Sequence, residues 1–173
     1  MKVAIFIPTL YRSHNIARVT QSIIDTTNVP YEIYFMCPED DFETIAEIEK
    51  FGCKYWTDTG DMRFVKRIQF MYEHTDEEWF LTGADDIVFQ HGWFDAALEY
   101  MEYFSVISFH DECNPNQPGT NFLIRRSYIE ESSGVIDSPN TVFYQNYFHN
   151  FLFVLVFVLF FLVYPMNHFS TMA

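Results

Sequence analysis

The feature that most constrains this chain is a repeated alternation of short apolar runs with longer stretches of helical period. Val3, Ala4, Ile5, Phe6 and Ile7 form a run with no polar face. A strand of that kind must be covered on both sides, as in a parallel sheet flanked by helices. The run reaches Pro8 too soon for a signal-peptide core, and no small-residue cleavage site follows, so it reads as a first buried strand. The spacing then predicts a helix capped by Ser13, with Ile16, Ala17, Thr20, Ile23 and Ile24 on its apolar face and Asn28 and Pro30 ending it. A second strand is expected over 31–37. Pro38 and the acids Glu39, Asp40 and Asp41 open a second helix with Phe42, Ile45, Ala46 and Ile48 inward, closed by Gly52. A third strand over 53–57 and a helix carrying Phe64, Val65, Ile68, Met71 and Tyr72 follow. A fourth strand over 78–82, a helix over 93–103 and a fifth strand over 104–109 continue the pattern. The fold class is therefore α/β, a mostly parallel sheet flanked by helices.

Ligands of such sheets bind beyond the carboxyl ends of the strands. The residues there are Pro8, Thr9, Tyr11 and Arg12, then Glu39, Asp40 and Asp41, then Asp58, Gly60 and Asp61, then Asp85 and Asp86, then His110, Asp111 and Glu112. Each group alone reads equally as a cap or solvated turn; their common placement favours a cleft. No GxGxxG follows the first strand, and no GxxxxGK[ST] or GxSxG appears anywhere, which excludes the usual dinucleotide, P-loop and hydrolase motifs.

Charge narrows the partners. The 173 residues carry 10 Lys and Arg against 24 Asp and Glu, a net charge of −14. That sign disfavours nucleic acid as a specific partner and disfavours a basic membrane-surface helix. It leaves room for an anionic ligand held by local cations or a metal ion. No acidic residue precedes Asp25, whereas Lys2, Arg12 and Arg18 do, so the N-terminal segment is the natural anion-facing part. The cysteines Cys37, Cys53 and Cys113 lack CxxC spacing and give no disulfide framework, which points to a reducing, cytoplasmic compartment.

The strongest chemical signal is the pair Asp85 and Asp86, set between the apolar runs 79–81 and 87–89. Two carboxylates at a nearly buried strand end need a compensating cation. Oxygen ligands of this kind suit Mg2+ or Mn2+, which bind one or two carboxylates together with substrate phosphates. A solvated turn is the competing reading.

Two stretches carry a family resemblance. Val3-Ala4-Ile5-Phe6-Ile7-Pro8-Thr9-Leu10-Tyr11-Arg12 resembles the first strand and nucleotide-binding loop of GT-A fold glycosyltransferases, in particular family 2-like enzymes. Trp79-Phe80-Leu81-Thr82-Gly83-Ala84-Asp85-Asp86-Ile87-Val88-Phe89 resembles the strand bearing their DxD-type motif. Cys113-Asn114-Pro115, Arg125-Arg126-Ser127-Tyr128-Ile129 and Tyr147-Phe148-His149-Asn150-Phe151 are similar to a phage and bacterial subgroup. The resemblance implies a nucleotide-diphospho-sugar donor, a glycan, lipid or protein acceptor, and Mn2+ or Mg2+. It places Pro8, Thr9 and Arg12 at the nucleotide and Glu39 or Asp40 near base or ribose. Asp58, Asp61 and Lys66 would line the pocket, with Asp85 at ribose or metal and Asp86 on the metal. An inverting transfer also needs a base for the acceptor hydroxyl, for which Asp111 and Glu112 are the nearest candidates. His149 is a further candidate, as metal ligand or acceptor-side group. The competing readings are a surface Arg12, an acidic loop at Asp111 and Glu112, and a core histidine at His149.

The resemblance stops after His149 and Asn150. Residues 151–164 are fourteen unbroken apolar residues, and no Asp, Glu, Lys or Arg follows Asp137. As a helix the run spans about 21 Å, short of the ~30 Å hydrocarbon core. It reads as a membrane-associating tail, a buried or oligomeric helix, or the product of a truncated or shifted reading frame. The expected organisation is a GT-A-like nucleotide-sugar-binding unit over 1–150 and an atypical apolar tail over 151–173. Besides sugar transfer, a non-catalytic or truncated nucleotide-sugar-binding remnant, membrane-tethered or free, stays open, as does nucleotidyl transfer on a similar scaffold.

Overall fold

A computed structural model describes residues 1–109, 121–132 and 157–158. The elements are β1 Val3–Pro8, α1 Ser13–Thr26, β2 Tyr31–Pro38, α2 Phe42–Lys50, β3 Lys54–Asp58, α3 Phe64–Glu73, β4 Trp79–Thr82 and α4 Trp93–Met101. They are followed by β5 Val106–Phe109, β6 Asn121–Arg125, α5 Arg126–Ser132 and the two-residue β7 Phe157–Val158. The strands form one sheet in the order β3-β2-β1-β4-β6-β5-β7. β1 lies parallel to both β2 and β4, and β2 is parallel to β3. β6 runs antiparallel to both β4 and β5. β5 therefore points the same way as β1 to β4, and its carboxyl end lies at the same sheet edge. β7 extends the far side through Ser108↔Phe157 and Phe109↔Val158.

The pleat explains why β1 carries no polar side chain. Val3, Ile5 and Ile7 pack with Ile16, Val19 and Ile23 of α1, Ile48 of α2 and Trp93, Phe94 and Ala97 of α4. Ala4 and Phe6 pack on the opposite face with Ile68, Met71 and Tyr72 of α3 and Ile129 of α5. Phe6 and Phe80 stack across β1 and β4 with ring centroids 5.2 Å apart, an arrangement that adds about 0.5–1.5 kcal/mol beyond area burial. The result is a helix–sheet–helix layering with the central strands dry on both faces. It is the α/β architecture, a mostly parallel sheet flanked by helices, that the alternation in the sequence predicts.

Several local expectations need correction. Ser13 is the first residue of α1 rather than its cap; Arg12 holds the cap position, with no side-chain cap bond. Ala17 and Ile24 are exposed, and Asn15 and Val19 take their places on the buried face. Pro38 ends β2, and Asp41 caps α2 by accepting from the Thr44 N–H, so Glu39 and Asp40 stay in the turn. Phe42 and Ala46 consequently point to solvent. β6 and α5 lie outside the predicted alternation. β6 is an antiparallel insertion between β4 and β5, and its apolar centre of Phe122, Leu123 and Ile124 is too brief to announce a strand. Among the described residues no helix is long and apolar enough to cross a membrane.

The chain moves outward from β1 to β2 to β3, and β4 then returns to the other side of β1. The crevice beyond β1 and β4 is therefore the topological switch point, where open α/β sheets bind ligands. Gly83 closes that junction. Its N–H donates to the Phe6 carbonyl at 2.8 Å, and a Cβ there would lie 3.1 Å from the same oxygen. That oxygen belongs to backbone held in the sheet, so it has little room to give, while the Ile7 and Ile87 side chains stand at ordinary contact distance. Gly83→Ala is expected to lower stability by roughly 1–3 kcal/mol, read as a fall of several degrees in Tm. An unchanged melting temperature would show that this close approach does not hold the strand ends together.

Candidate functional site

The loop after β1 leaves the sheet late. The Thr9 N–H still donates to the Met36 carbonyl at 2.9 Å, so Thr9 stays buried at 2% exposure. The chain then turns through Tyr11, whose φ is +52°, a strained region for a bulky side chain. Two hydrogen bonds hold it there. The Tyr11 N–H donates to Asp41 Oδ2 at 2.8 Å, and its hydroxyl donates to Asp40 Oδ1 at 2.7 Å. The bond to Asp40 raises the pKa of the phenol. Asp41 thus serves twice, since its other oxygen accepts from the Thr44 N–H at the start of α2.

Beneath the loop lies a buried ion pair. Arg67 and Asp58 are 3% and 9% exposed. Arg67 Nε donates to Asp58 Oδ2 at 2.6 Å and Nη2 to Oδ1 at 3.0 Å. Its remaining terminal nitrogen donates to the Thr9 carbonyl at 2.6 Å. Asp58 Oδ1 also accepts from the Gly60 N–H at 2.5 Å, where Gly60 adopts a φ of +85°. One planar guanidinium therefore ties the carboxyl end of β3 to the loop after β1. A bidentate fork with every partner fixed is the geometry in which a buried pair holds its place.

Above the loop stand the paired carboxylates. Asp85 is 3% exposed. Its Oδ2 accepts from the Thr9 hydroxyl at 2.6 Å, and its Oδ1 lies 3.1 Å from Arg12 Nη1. The same nitrogen is 3.4 Å from Asp86 Oδ2. Arg18 reaches the Asp86 carbonyl at 3.4 Å. The Asp86 side chain is 60% exposed. The two neighbours thus differ in kind: one carboxylate is dry and oriented, the other open to solvent.

Of the residues expected at the site, Thr9, Arg12, Asp58, Asp85 and Asp86 join one continuous network. Pro8 sits buried at the end of β1. Asp40 meets Tyr11, and Glu39 is exposed, its N–H donating to the Asp58 carbonyl at 2.8 Å. Asp61 is exposed and accepts from the Thr59 hydroxyl at 2.6 Å, which lowers its pKa. Lys66 is exposed near Asp61 and outside the network; its neighbour Arg67 enters instead. Asp111, Glu112 and His149 lie outside the described residues. Arg67 is the residue missed from sequence. Its signal was a cation at the inward spacing of α3, where burial demands an anion, with Asp58 at the preceding strand end.

The donor set suits a hard divalent cation. Asp85 and Asp86 supply oxygens alone, and Mg2+ or Mn2+ completes such a site with phosphate and water. Among the described residues no group of three His, Cys, Asp or Glu gathers around a metal position, so no all-protein cage is built there.

No protein-family model matches the sequence, and no curated protein does so at a significant level. Solved structures share the fold. The mannosyltransferase PcManGT from Pyrobaculum calidifontis, in complex with GDP-Man and Mn2+, superposes with a TM-score of 0.67 at 11% identity, covering 76% of this chain and 46% of that one. Glucosyl-3-phosphoglycerate synthase from Mycobacterium tuberculosis, in complex with UDP, gives 0.56 at 10% identity over 74% and 58%. A CMP:2-keto-3-deoxy-manno-octonic acid synthetase complexed with CTP gives 0.59 at 11% identity over 80% of both chains. This chain therefore spans less than half of the mannosyltransferase it resembles.

Removing the cation from the buried pair should be severe. Arg67→Met is expected to lower stability by about 3–5 kcal/mol, because it leaves Asp58 charged and unpartnered. The double variant Asp58→Asn with Arg67→Met should recover part of that loss. Denaturant unfolding checks both, and a single variant as stable as the parent would contradict the assignment.

Proposed function

We propose that the chain carries the donor-binding part of a glycosyltransferase. It would move a sugar from a nucleoside-diphosphate donor to a hydroxyl of a glycan, lipid or protein acceptor, assisted by Mn2+ or Mg2+. The observation that carries this reading is the carboxylate pair at the switch point, bonded through Thr9 to the loop after β1. Nucleotide-bound proteins of the same fold support it.

Each residue has a chemical task in this reading. Arg67 and Asp58 make the loop rigid, and Thr9 fixes the direction of Asp85 through its hydroxyl. Asp85 and Asp86 would hold the divalent ion. When bound, that ion supplies Lewis-acid stabilisation of the charge developing on the departing diphosphate. Arg12 and Arg18 bring positive charge to a chain that is otherwise strongly acidic, and the start of α1, without a side-chain cap, adds its own dipole. Asp40 and Tyr11 lie at the β2 side of the crevice, where base or ribose would rest. Asp111 and Glu112 remain the proposed bases for an inverting step, with His149 on the acceptor side or on the metal.

Nucleotidyl transfer is the second reading, favoured by the CTP-bound synthetase that matches over 80% of both chains. Products separate the two, since sugar transfer releases a nucleoside diphosphate and nucleotidyl transfer releases pyrophosphate.

The test is incubation with UDP-, GDP-, CDP- and dTDP-sugars, with Mn2+ or with EDTA, following transfer or slow donor hydrolysis. One donor should be turned over with Mn2+, and Asp86→Ala should slow it by about a hundredfold or more, the scale of losing a main charge-stabilising group. Turnover equal in EDTA and in the variant would exclude the metal role. Pyrophosphate release from a nucleoside triphosphate, with every nucleotide sugar inert, would favour the second reading.

A further inference from the structure

Two arginines of the site, Arg67 and Arg12, are bound in opposite ways. Arg67 is 3% exposed and commits its guanidinium to three contacts of 2.6–3.0 Å. The Arg12 side chain is 50% exposed, and a single nitrogen reaches Asp85 at 3.1 Å and Asp86 at 3.4 Å. The first group is locked by burial. The second is a half-solvated ion pair with long contacts, the kind whose net contribution is small and whose side chain exchanges partners readily.

Among the described residues, Arg12 is the one side chain within ion-pair distance of either carboxylate. It stands against the same oxygens that a divalent ion would need. A guanidinium prefers the bidentate geometry of phosphate oxygens to a one-nitrogen bridge between carboxylates. Arg12 also sits at the start of α1, where the uncapped N–H groups favour an anion beside it.

We infer that Arg12 is an exchangeable counter-ion that offsets part of the charge of Asp85 and Asp86 until a diphosphate draws it away, so that metal and nucleotide bind cooperatively rather than independently. This rests on the metal-assisted reading of the site. Without nucleotide, a bound divalent ion must compete with the guanidinium. With nucleotide present, the guanidinium gains phosphate oxygens and releases the carboxylates. The coupling is reciprocal: whatever factor the nucleotide gives the metal, the metal gives the nucleotide.

The experiment measures Mn2+ affinity of the intact chain by electron paramagnetic resonance, alone and with saturating UDP or GDP. Arg12→Gln removes the competing charge and should bind Mn2+ alone roughly tenfold tighter than the parent. The nucleotide should then raise Mn2+ affinity by a much smaller factor than in the parent. Arg12→Lys keeps the charge and should stay close to parental affinity for Mn2+ alone. Arg12→Gln binding Mn2+ no tighter than the parent, while Asp86→Asn abolishes binding, would overturn the counter-ion role and leave the metal site intact. Mn2+ binding that ignores Asp86→Asn would overturn both.

Discussion

Asp85 is 3% exposed, and an ionised carboxylate that far from water has to be met by donors or by a cation. The chain meets it from one loop. Thr9 gives a hydroxyl and Arg12 a guanidinium, both from the segment that follows β1. The position of that loop is therefore fixed by a charge in the turn after β4, and the direction of that charge is fixed by the loop. The crevice between β1 and β4 exists in a defined shape because neither side can move without stranding a buried oxygen.

The same logic runs one layer deeper. Asp58 at the end of β3 and Arg67 on α3 neutralise each other, and the arginine has a nitrogen left for the Thr9 carbonyl. Thr9 is thus held from below by its backbone and holds Asp85 above by its side chain. The sheet supplies the spacing, since β3, β2, β1 and β4 are consecutive in the sheet and all point the same way. A crevice of this kind is built from three strand ends and one helix. Its rigid part is dry, while Arg12 and Asp86 remain half in water and are free to answer a ligand.

Much of this was legible in the residues. The unbroken apolar run of β1 required a covered strand, and the strand-end rule then brought Thr9, Arg12, Asp58, Asp85 and Asp86 to one edge without reference to structure. Helix faces were legible only approximately. Ile16, Thr20, Ile23 and Ile48 face inward as their spacing requires, whereas Ala17, Ile24, Phe42 and Ala46 fit the same stripe by spacing and yet lie outside it, because the crossing of each helix on the sheet buries Asn15, Val19 and Thr44 instead. Lys66 and Arg67 show the limit most clearly. Both are basic and adjacent, and only the rotation of α3 decides which one meets Asp58. β6 escaped because alternation of strand and helix has no place for an antiparallel strand returning between β4 and β5. Asp111, Glu112 and His149 stand as expectations about acceptor chemistry.

The proposed function requires the crevice beyond β1 and β4 to bind a nucleoside diphosphate together with a divalent ion at Asp85 and Asp86. The most direct measurement is an anomalous-scattering map from crystals grown with Mn2+ and UDP or GDP. The account predicts a manganese peak in coordination distance of Asp86, with nucleotide density running along the loop from Thr9 to Arg12. A nucleotide bound elsewhere on the sheet, or a manganese peak remote from both carboxylates, would contradict it.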